Sequence, residues 1–216
     1  MFASIRRYRL NSGDMRELAR RVDTDFVERL TGRSGFVSYE FVEGGDGQIA
    51  TVSMFADAEG AAASRDLARQ WTEETLRDFD FTRLEGLEGE VWVSRAARDL
   101  LEPGHVEAGH GFMGIRRYRG DADAMPEMMR LVDTEFADRV AMLDGFDAYH
   151  VVDCGDGELV ALTMVRDLAT AEQGDTMARE FVRDKLGAFP IERVETINGR
   201  VLVSRAVAEV LEPAHA

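Results

Sequence analysis

Cysteine and lysine are almost missing from this 216-residue chain, which has one of each, Cys154 and Lys185. A single thiol excludes an intramolecular disulfide and any multi-cysteine metal site, and it fits a reducing compartment. His105 and His110 are too few for a metal site, and His215 repeats His105 only because the two tails repeat. No segment approaches the roughly 18 consecutive apolar residues of a membrane span, and Met1-Phe2-Ala3-Ser4-Ile5-Arg6-Arg7 lacks the apolar core of a secretory signal. The expectation is a cytoplasmic protein with no membrane partner. Basic residues are the minority, 26 Lys+Arg against 41 Asp+Glu, and the formal net charge of -15 repels polyphosphate. That argues against nucleic acid as a partner and leaves room for a small local basic site.

What is present is enough for one large or two small cores: 45% of residues are hydrophobic and 31% charged, which excludes a disordered chain. The strongest signal is internal repetition. Phe2-Ala3-Ser4-Ile5-Arg6-Arg7-Tyr8-Arg9 is answered by Phe112-Met113-Gly114-Ile115-Arg116-Arg117-Tyr118-Arg119, an offset of about 110 positions that holds to the C-terminus without a gap. Val22-Asp23-Thr24 meets Val132-Asp133-Thr134, and Val93-Ser94-Arg95-Ala96 meets Val203-Ser204-Arg205-Ala206. About 39 of roughly 105 aligned pairs are identical, so the chain reads as a duplicated domain: 1–106, a linker at 107–111, and 112–216.

Each half changes periodicity in the same order. Residues 3–9 read as a short strand ended by Asn11-Ser12-Gly13. Met15, Leu18, Ala19, Val22, Phe26, Val27 and Leu30 then mark one face of a helix capped by Asp14 or Ser12; Asp123 or Asp121 would cap its twin. Residues 35–42 and 48–55 form a hairpin through Gly44-Gly45-Asp46-Gly47. A second helix begins near Asp57, and Glu90-Val91-Trp92-Val93-Ser94 is the last strand. The order β-α-β-β-α-β, twice, is a split-βαβ or ferredoxin-like arrangement in an α+β fold. One such sheet carries both helices on one face and leaves the other uncovered. Two ferredoxin-like repeats are therefore expected to pack their antiparallel sheets face to face, as an intrachain barrel with a space between the sheets.

With the repeated Arg-Arg-Tyr of the first strand, Ser34-Gly35-Phe36 and Asp144-Gly145-Phe146 before the second, the hairpin, and Trp71 or Phe181 on the second helix, the chain resembles the dimeric α/β-barrel superfamily, in particular antibiotic-biosynthesis-monooxygenase-like proteins. The resemblance covers both halves. It implies a fused version of a two-chain barrel, hence a monomeric pseudo-dimer or a homodimer. It also implies chemistry ranging from cofactor-free oxidation of aromatic intermediates to haem breakdown. The carry-over has gaps: Asn11 and Asn198 are the two asparagines, both expected in turns, and neither second helix (57–80 or 167–188) holds the histidine that haem-degrading relatives use.

Period two puts Arg6 with Tyr8, and Arg116 with Tyr118, on one strand face, with Arg7 and Arg117 on the other. One pair is expected to face the inter-sheet space. There an arginine fork would bind a carboxylate or phenolate; the alternative is an internal ion pair with Glu40 or another acid, or a strand end in solvent. His150, whose twin is Glu40, is the candidate general base if its face looks inward, and a surface or core-satisfied histidine otherwise. Trp92 faces the barrel space if Val91 and Val93 pack on the helices, whereas Trp71 reads as core. Gly109-His110-Gly111-Phe112-Met113-Gly114 matches a dinucleotide fingerprint but precedes a strand, so it is a linker. Cys154, standing where the first half has Gly44, is expected to be an exposed turn thiol. Two functions follow as expectations: cofactor-independent oxidation of a small aromatic or enolisable substrate between the sheets, or non-catalytic binding of a small ligand.

Overall fold

The computed structural model describes residues 1–102 and 111–212. The first half runs β1 (Phe2–Ser12), α1 (Met15–Arg21), a π-helical turn (Val22–Phe26), α2 (Val27–Thr31), β2 (Phe36–Glu43), β3 (Gln48–Phe55), α3 (Ala58–Thr75) and β4 (Asp80–Ala96). The second repeats it as β5 (Gly111–Arg119), α4 (Met125–Leu131), a π turn (Val132–Ala137), α5 (Asp138–Ala141), β6 (Phe146–Gly155), β7 (Glu158–Val165), α6 (Leu168–Lys185) and β8 (Glu192–Ala206). Of the expected linker, Gly111 opens β5; residues 107–110, with His105 and His215, lie outside the described residues. No helix among the described residues is long and apolar enough to cross a membrane.

Local chemistry sets the boundaries. Asp14, Asp57 and Asp167 accept hydrogen bonds from the backbone N–H groups of Glu17, Gly60 and Thr170, satisfying donors that a helix start leaves open. Both hairpins turn through Asp-Gly pairs at positive φ, Asp46 (57°) with Gly47 (71°) and Asp156 (50°) with Gly157 (78°), whose twist matches the flanking strands.

The eight antiparallel strands close in the order β1-β3-β2-β8-β5-β7-β6-β4. The two groups of four thus join edge to edge, by β2–β8 and β4–β6 pairing, into one continuous wall, where the sequence suggested two stacked sheets. Closure removes every free sheet edge. It also explains why β4 extends ten residues upstream of the expected Glu90–Ser94: Asp80–Glu90 pairs with β1 and Glu90–Ala96 with β6. At this switch a Cβ on Gly89 would run into the Asp153 carbonyl, and one on Gly199, its twin in β8, would lie 2.5 Å from the Glu43 carbonyl oxygen. Glycine is required where a third strand crosses so closely.

Three apolar layers result. The barrel interior mixes both halves, with Ile5, Val52, Met54 and Val91 against Ile115, Leu162, Met164 and Val201. Two outer layers lie between the barrel wall and the helices, each built mainly from one half but taking in Val93 of β4 or Val203 of β8 from the other. One end of the interior is charged. There Arg7 bonds Glu195 (2.6 Å) and Glu85 (3.2 Å), and Arg117 bonds Glu85 and Glu158.

Candidate functional site

The inward-facing arginines are therefore Arg7 and Arg117. Arg6 with Tyr8, and Arg116 with Tyr118, point the other way, beneath the helices, which corrects the expectation that one of these pairs enters the inter-sheet space. The alternation of β1 forces this, because Ala3 and Ile5 fill the interior. Trp92 is corrected as well. A bulge between Val91 and Val93 sends Val91 inward and Val93 outward, and leaves Trp92 half-buried against the outer layer of the second half.

Glu40 and His150 do face the interior, and they line the same void. It measures ≈ 10 Å³, room for one water at most, so the expected substrate space between the sheets is filled by side chains. Burial pushes the Glu40 carboxyl up to about 8, moderated by a 3.3 Å hydrogen bond from Ser38 Oγ, and pushes the His150 imidazole down to about 4. Both are uncharged at neutral pH. His150 Nδ1 is hydrogen-bonded to Ser94 Oγ at 3.1 Å, a core-satisfied histidine. Cys154, expected to be exposed, is half-buried, its thiol raised to about 12 by desolvation and then by Glu158 and Asp153. Asn198, expected in a turn, pairs with Gly114 inside β8–β5.

A roomier site than this void lies in the first half, between sheet and helices: a cavity of ≈ 120 Å³. Its floor is Arg6 and Tyr8 of β1, Tyr39 and Phe41 of β2, and Thr51 of β3; its roof is Val22 and Phe26 of the π turn with Trp71 and Thr72 of α3. Aromatic packing fixes the walls. Phe26 meets Tyr39 edge-on at 5.5 Å and Trp71 at 5.0 Å, and the Trp71 indole N–H donates to Asp25 Oδ2 at 2.8 Å. Tyr39 is buried, and desolvation raises its hydroxyl pKa well above the ordinary value. Within this apolar lining sits one guanidinium. Arg6 is 8% exposed, its Nη2 is buried with no hydrogen-bond partner, and no carboxylate pairs with it among the described residues. Burial lowers its pKa, yet an arginine stays cationic in proteins.

The second half keeps the layout and closes it. Phe136 meets Tyr149 at 5.7 Å and Phe181 at 4.8 Å, but only ≈ 40 Å³ remains, with Met129 in the lining where the first half has Ala19. Arg116 there donates from Nε to Asp175 Oδ1 (2.9 Å) and from Nη1 to Thr163 Oγ1 (2.9 Å), the internal ion pair anticipated for this residue type, although with Asp175 as its acid and not Glu40. Sequence reasoning missed Asp175. The signal was available in the repeat, since position 65, its counterpart, is arginine. Among the described residues no group of three or more His, Cys, Asp or Glu could hold a metal ion.

No family model and no curated protein matches the chain. Solved structures do. A "putative monooxygenase" from Fusobacterium nucleatum superposes with a TM-score of 0.72 at 7% identity, over 95% of this chain and 94% of that one. One of the same description from Lactobacillus acidophilus gives 0.68 at 9%, over 95% of each chain. An "anthrone oxidase-like protein" gives 0.58 at 12%, over 97% of this chain and 94% of that one. At such identities the likeness speaks for architecture alone: the chain has an α+β fold with a closed eight-stranded antiparallel barrel, shared along nearly its whole length with these proteins.

Proposed function

We propose that this protein takes a small aromatic or enolisable anion into the first-half cavity and oxidises it with molecular oxygen without a bound cofactor, as an antibiotic-biosynthesis-monooxygenase-like protein built from two fused ferredoxin-like repeats. The observation that carries the reading is Arg6, whose buried Nη2 has no hydrogen-bond partner and which pairs with no carboxylate among the described residues, in an aromatic-lined cavity. An isolated buried cation is costly, and a site that keeps one is prepared for an anion. Size narrows the class. An apolar cavity of about 150 Å³ accommodates benzene, so ≈ 120 Å³ holds no more than about a single ring and excludes a fused polycycle.

In this chemistry a ring-activated CH₂ loses a proton to solvent, and Arg6 holds the resulting enolate or phenolate oxygen. The carbanion carbon passes electrons to O₂ and forms a C–OO⁻ bond, the peroxide takes a proton back from solvent, and elimination of water from the C–OOH group leaves a carbonyl. Overall R₂CH₂ + O₂ gives R₂C=O + H₂O, with the carbon oxidised by four electrons and both oxygen atoms reduced. Tyr8 and Trp71 supply the walls. His150 and Glu40, in the barrel interior, play no part in the cavity. The neighbours described as monooxygenase and anthrone oxidase-like support the reaction class. Both seams closing within one chain supports the single chain as the working unit.

The second reading, a ligand-binding protein without turnover, is favoured by the lining itself, which contains no carboxylate or histidine to act as a base. Oxygen-electrode assays on single-ring enolisable phenols and ketones, paired with calorimetry, separate the two. Saturable binding with oxygen uptake that disappears in Arg6→Met supports oxidation. Binding without uptake leaves the second reading, and absence of both refutes the cavity as a site.

A further inference from the structure

The halves treat one buried arginine in opposite ways. Around Arg116, which is 2% exposed, Asp175 of α6 collects three cations: Arg116 Nε (2.9 Å) and Arg193 Nη1 (2.7 Å) on Oδ1, and Arg179 Nη2 (3.2 Å) on Oδ2. Arg193 is the cross-strand partner of Tyr118 and lies over its ring at 5.4 Å. The first half repeats the two strand arginines and lacks the acid. Arg83 is the cross-strand partner of Tyr8, and its guanidinium fills the space over Gly86, the residue directly opposite Arg6. The two cations are close enough for Arg83 to depress the Arg6 pKa. At the position of Asp175 stands Arg65, which turns outward to bond Glu88 (Nη1–Oε1 2.6 Å), the carboxylate whose field also reaches Arg6. Two buried polar atoms on this face, Arg6 Nη2 and Ser4 Oγ, have no partner.

We infer that the first-half cavity recognises a carboxylate, that Arg6 and Arg83 are its two cationic contacts, and that Asp175 in the second half is the built-in counterpart of that ligand group. The ligand class is a monocyclic aromatic acid, with its ring among Phe26, Tyr39 and Trp71 and its carboxylate where Asp175 sits in the other repeat. The inference rests on the cavity being a small-molecule site, and adds the ligand's charged end and the reason why one half alone is open. A planar guanidinium matches a carboxylate two bonds at a time, and the largely apolar lining strengthens that pairing. The second half is self-occupied, both by Asp175 and by its smaller volume.

Calorimetric titration of the full chain with benzoate and with benzyl alcohol, a neutral analogue of similar size, tests this. Wild type is expected to bind one benzoate per chain at least ten-fold more tightly than benzyl alcohol. Arg65→Asp installs the second half's acid in the first and is expected to weaken benzoate at least ten-fold while far-ultraviolet circular dichroism stays unchanged. Should that variant fail to fold, Asp175→Ala provides the complementary arm. It removes the built-in carboxylate, and millimolar formate is expected to raise its Tm by several degrees more than that of wild type. Equal benzoate affinity in wild type and Arg65→Asp, or no formate rescue, overturns the inference. Benzyl alcohol binding as tightly as benzoate also overturns it while leaving the small-molecule cavity standing. Binding of neither compound refutes the cavity reading itself.

Discussion

Ser94 Oγ and His150 Nδ1 lie 3.1 Å apart across the β4–β6 seam, in a register pair that the β2–β8 seam repeats as Ser204 and Glu40. The repetition is geometric and not chemical. Glu40 turns to Ser38, and Ser204 Oγ is buried with no partner. Ser94→Ala leaves a buried ring nitrogen unsatisfied and is expected to cost about 1–2 kcal/mol, whereas Ser204→Ala removes an already unpaired hydroxyl and is expected to change stability by less than about 0.5 kcal/mol. Urea midpoints for the two variants measure the difference; equal losses would contradict this account of the seams.

Glu40 and His150 give the barrel a pH response of opposite signs. Burial raises Glu40 to about 8 from 4.5, so as pH climbs the unfolded chain releases this proton first, and stability falls from pH 4.5 to 8. Burial lowers His150 to about 4 from 6.5, so as pH drops the unfolded chain takes up this proton first, and stability is lost from pH 6.5 down to 4. The slopes oppose each other between pH 4.5 and 6.5, each at most ~1.4 kcal/mol per pH unit, and Glu40 acts alone from pH 6.5 to 8. Urea midpoints of wild type are expected to decline over pH 6.5–8. Glu40→Gln should flatten that decline, and His150→Gln should expose the Glu40 slope at lower pH.

The paired arginines predict opposite responses to the same substitution. Arg116→Met strands Asp175, 17% exposed and still faced by Arg193 and Arg179, and is expected to destabilise by about 1–3 kcal/mol. Arg6→Met replaces an unpaired buried cation with an apolar chain of similar length and is expected to leave the ligand-free protein as stable or raise its Tm. Differential scanning calorimetry without ligand decides. A larger loss for Arg6→Met would mean that its guanidinium is already satisfied.

Much of this barrel can be read from the chain. The 110-residue repeat locates the elements of both halves, the Asp46-Gly47 and Asp156-Gly157 turns name the hairpins, and β3 spans the expected 48–55. Asp80–Gly89 escaped notice because its residues are exposed or half-buried up to Glu88, in no regular alternation, and carry no apolar stripe; its strand character comes from pairing with β1. Period two correctly separated Arg6 from Arg7 but could not say which face was interior, because both faces of β1 are covered by protein. The site moved for that reason. Arg6 and Tyr8 do come together in a cavity, under the helices, whereas Arg116 and Tyr118 come together around an acid that the alternation of β5 does not reveal.

Gly199 tests the edge-to-edge closure most directly. A Cβ there would lie 2.5 Å from the Glu43 carbonyl oxygen and 2.6 Å from Val42 Cγ1, backbone and core atoms of β2 that cannot give way without disturbing the β2–β8 ladder. Gly45, in the hairpin turn, has nothing within 4 Å of the same added atom. Gly199→Ala is therefore expected to destabilise by about 2 kcal/mol or more, in the range of overpacked cores, and Gly45→Ala by less than about 0.5 kcal/mol. The loss should also be local. Amide exchange should rise first at Phe41, Val42 and Glu43 and at their partners Val203, Val201 and Arg200, while the β4–β6 seam, sealed around Gly89, keeps its protection. If the two sheets were merely stacked, an added methyl at Gly199 would meet no neighbouring strand, and both variants would exchange and unfold alike.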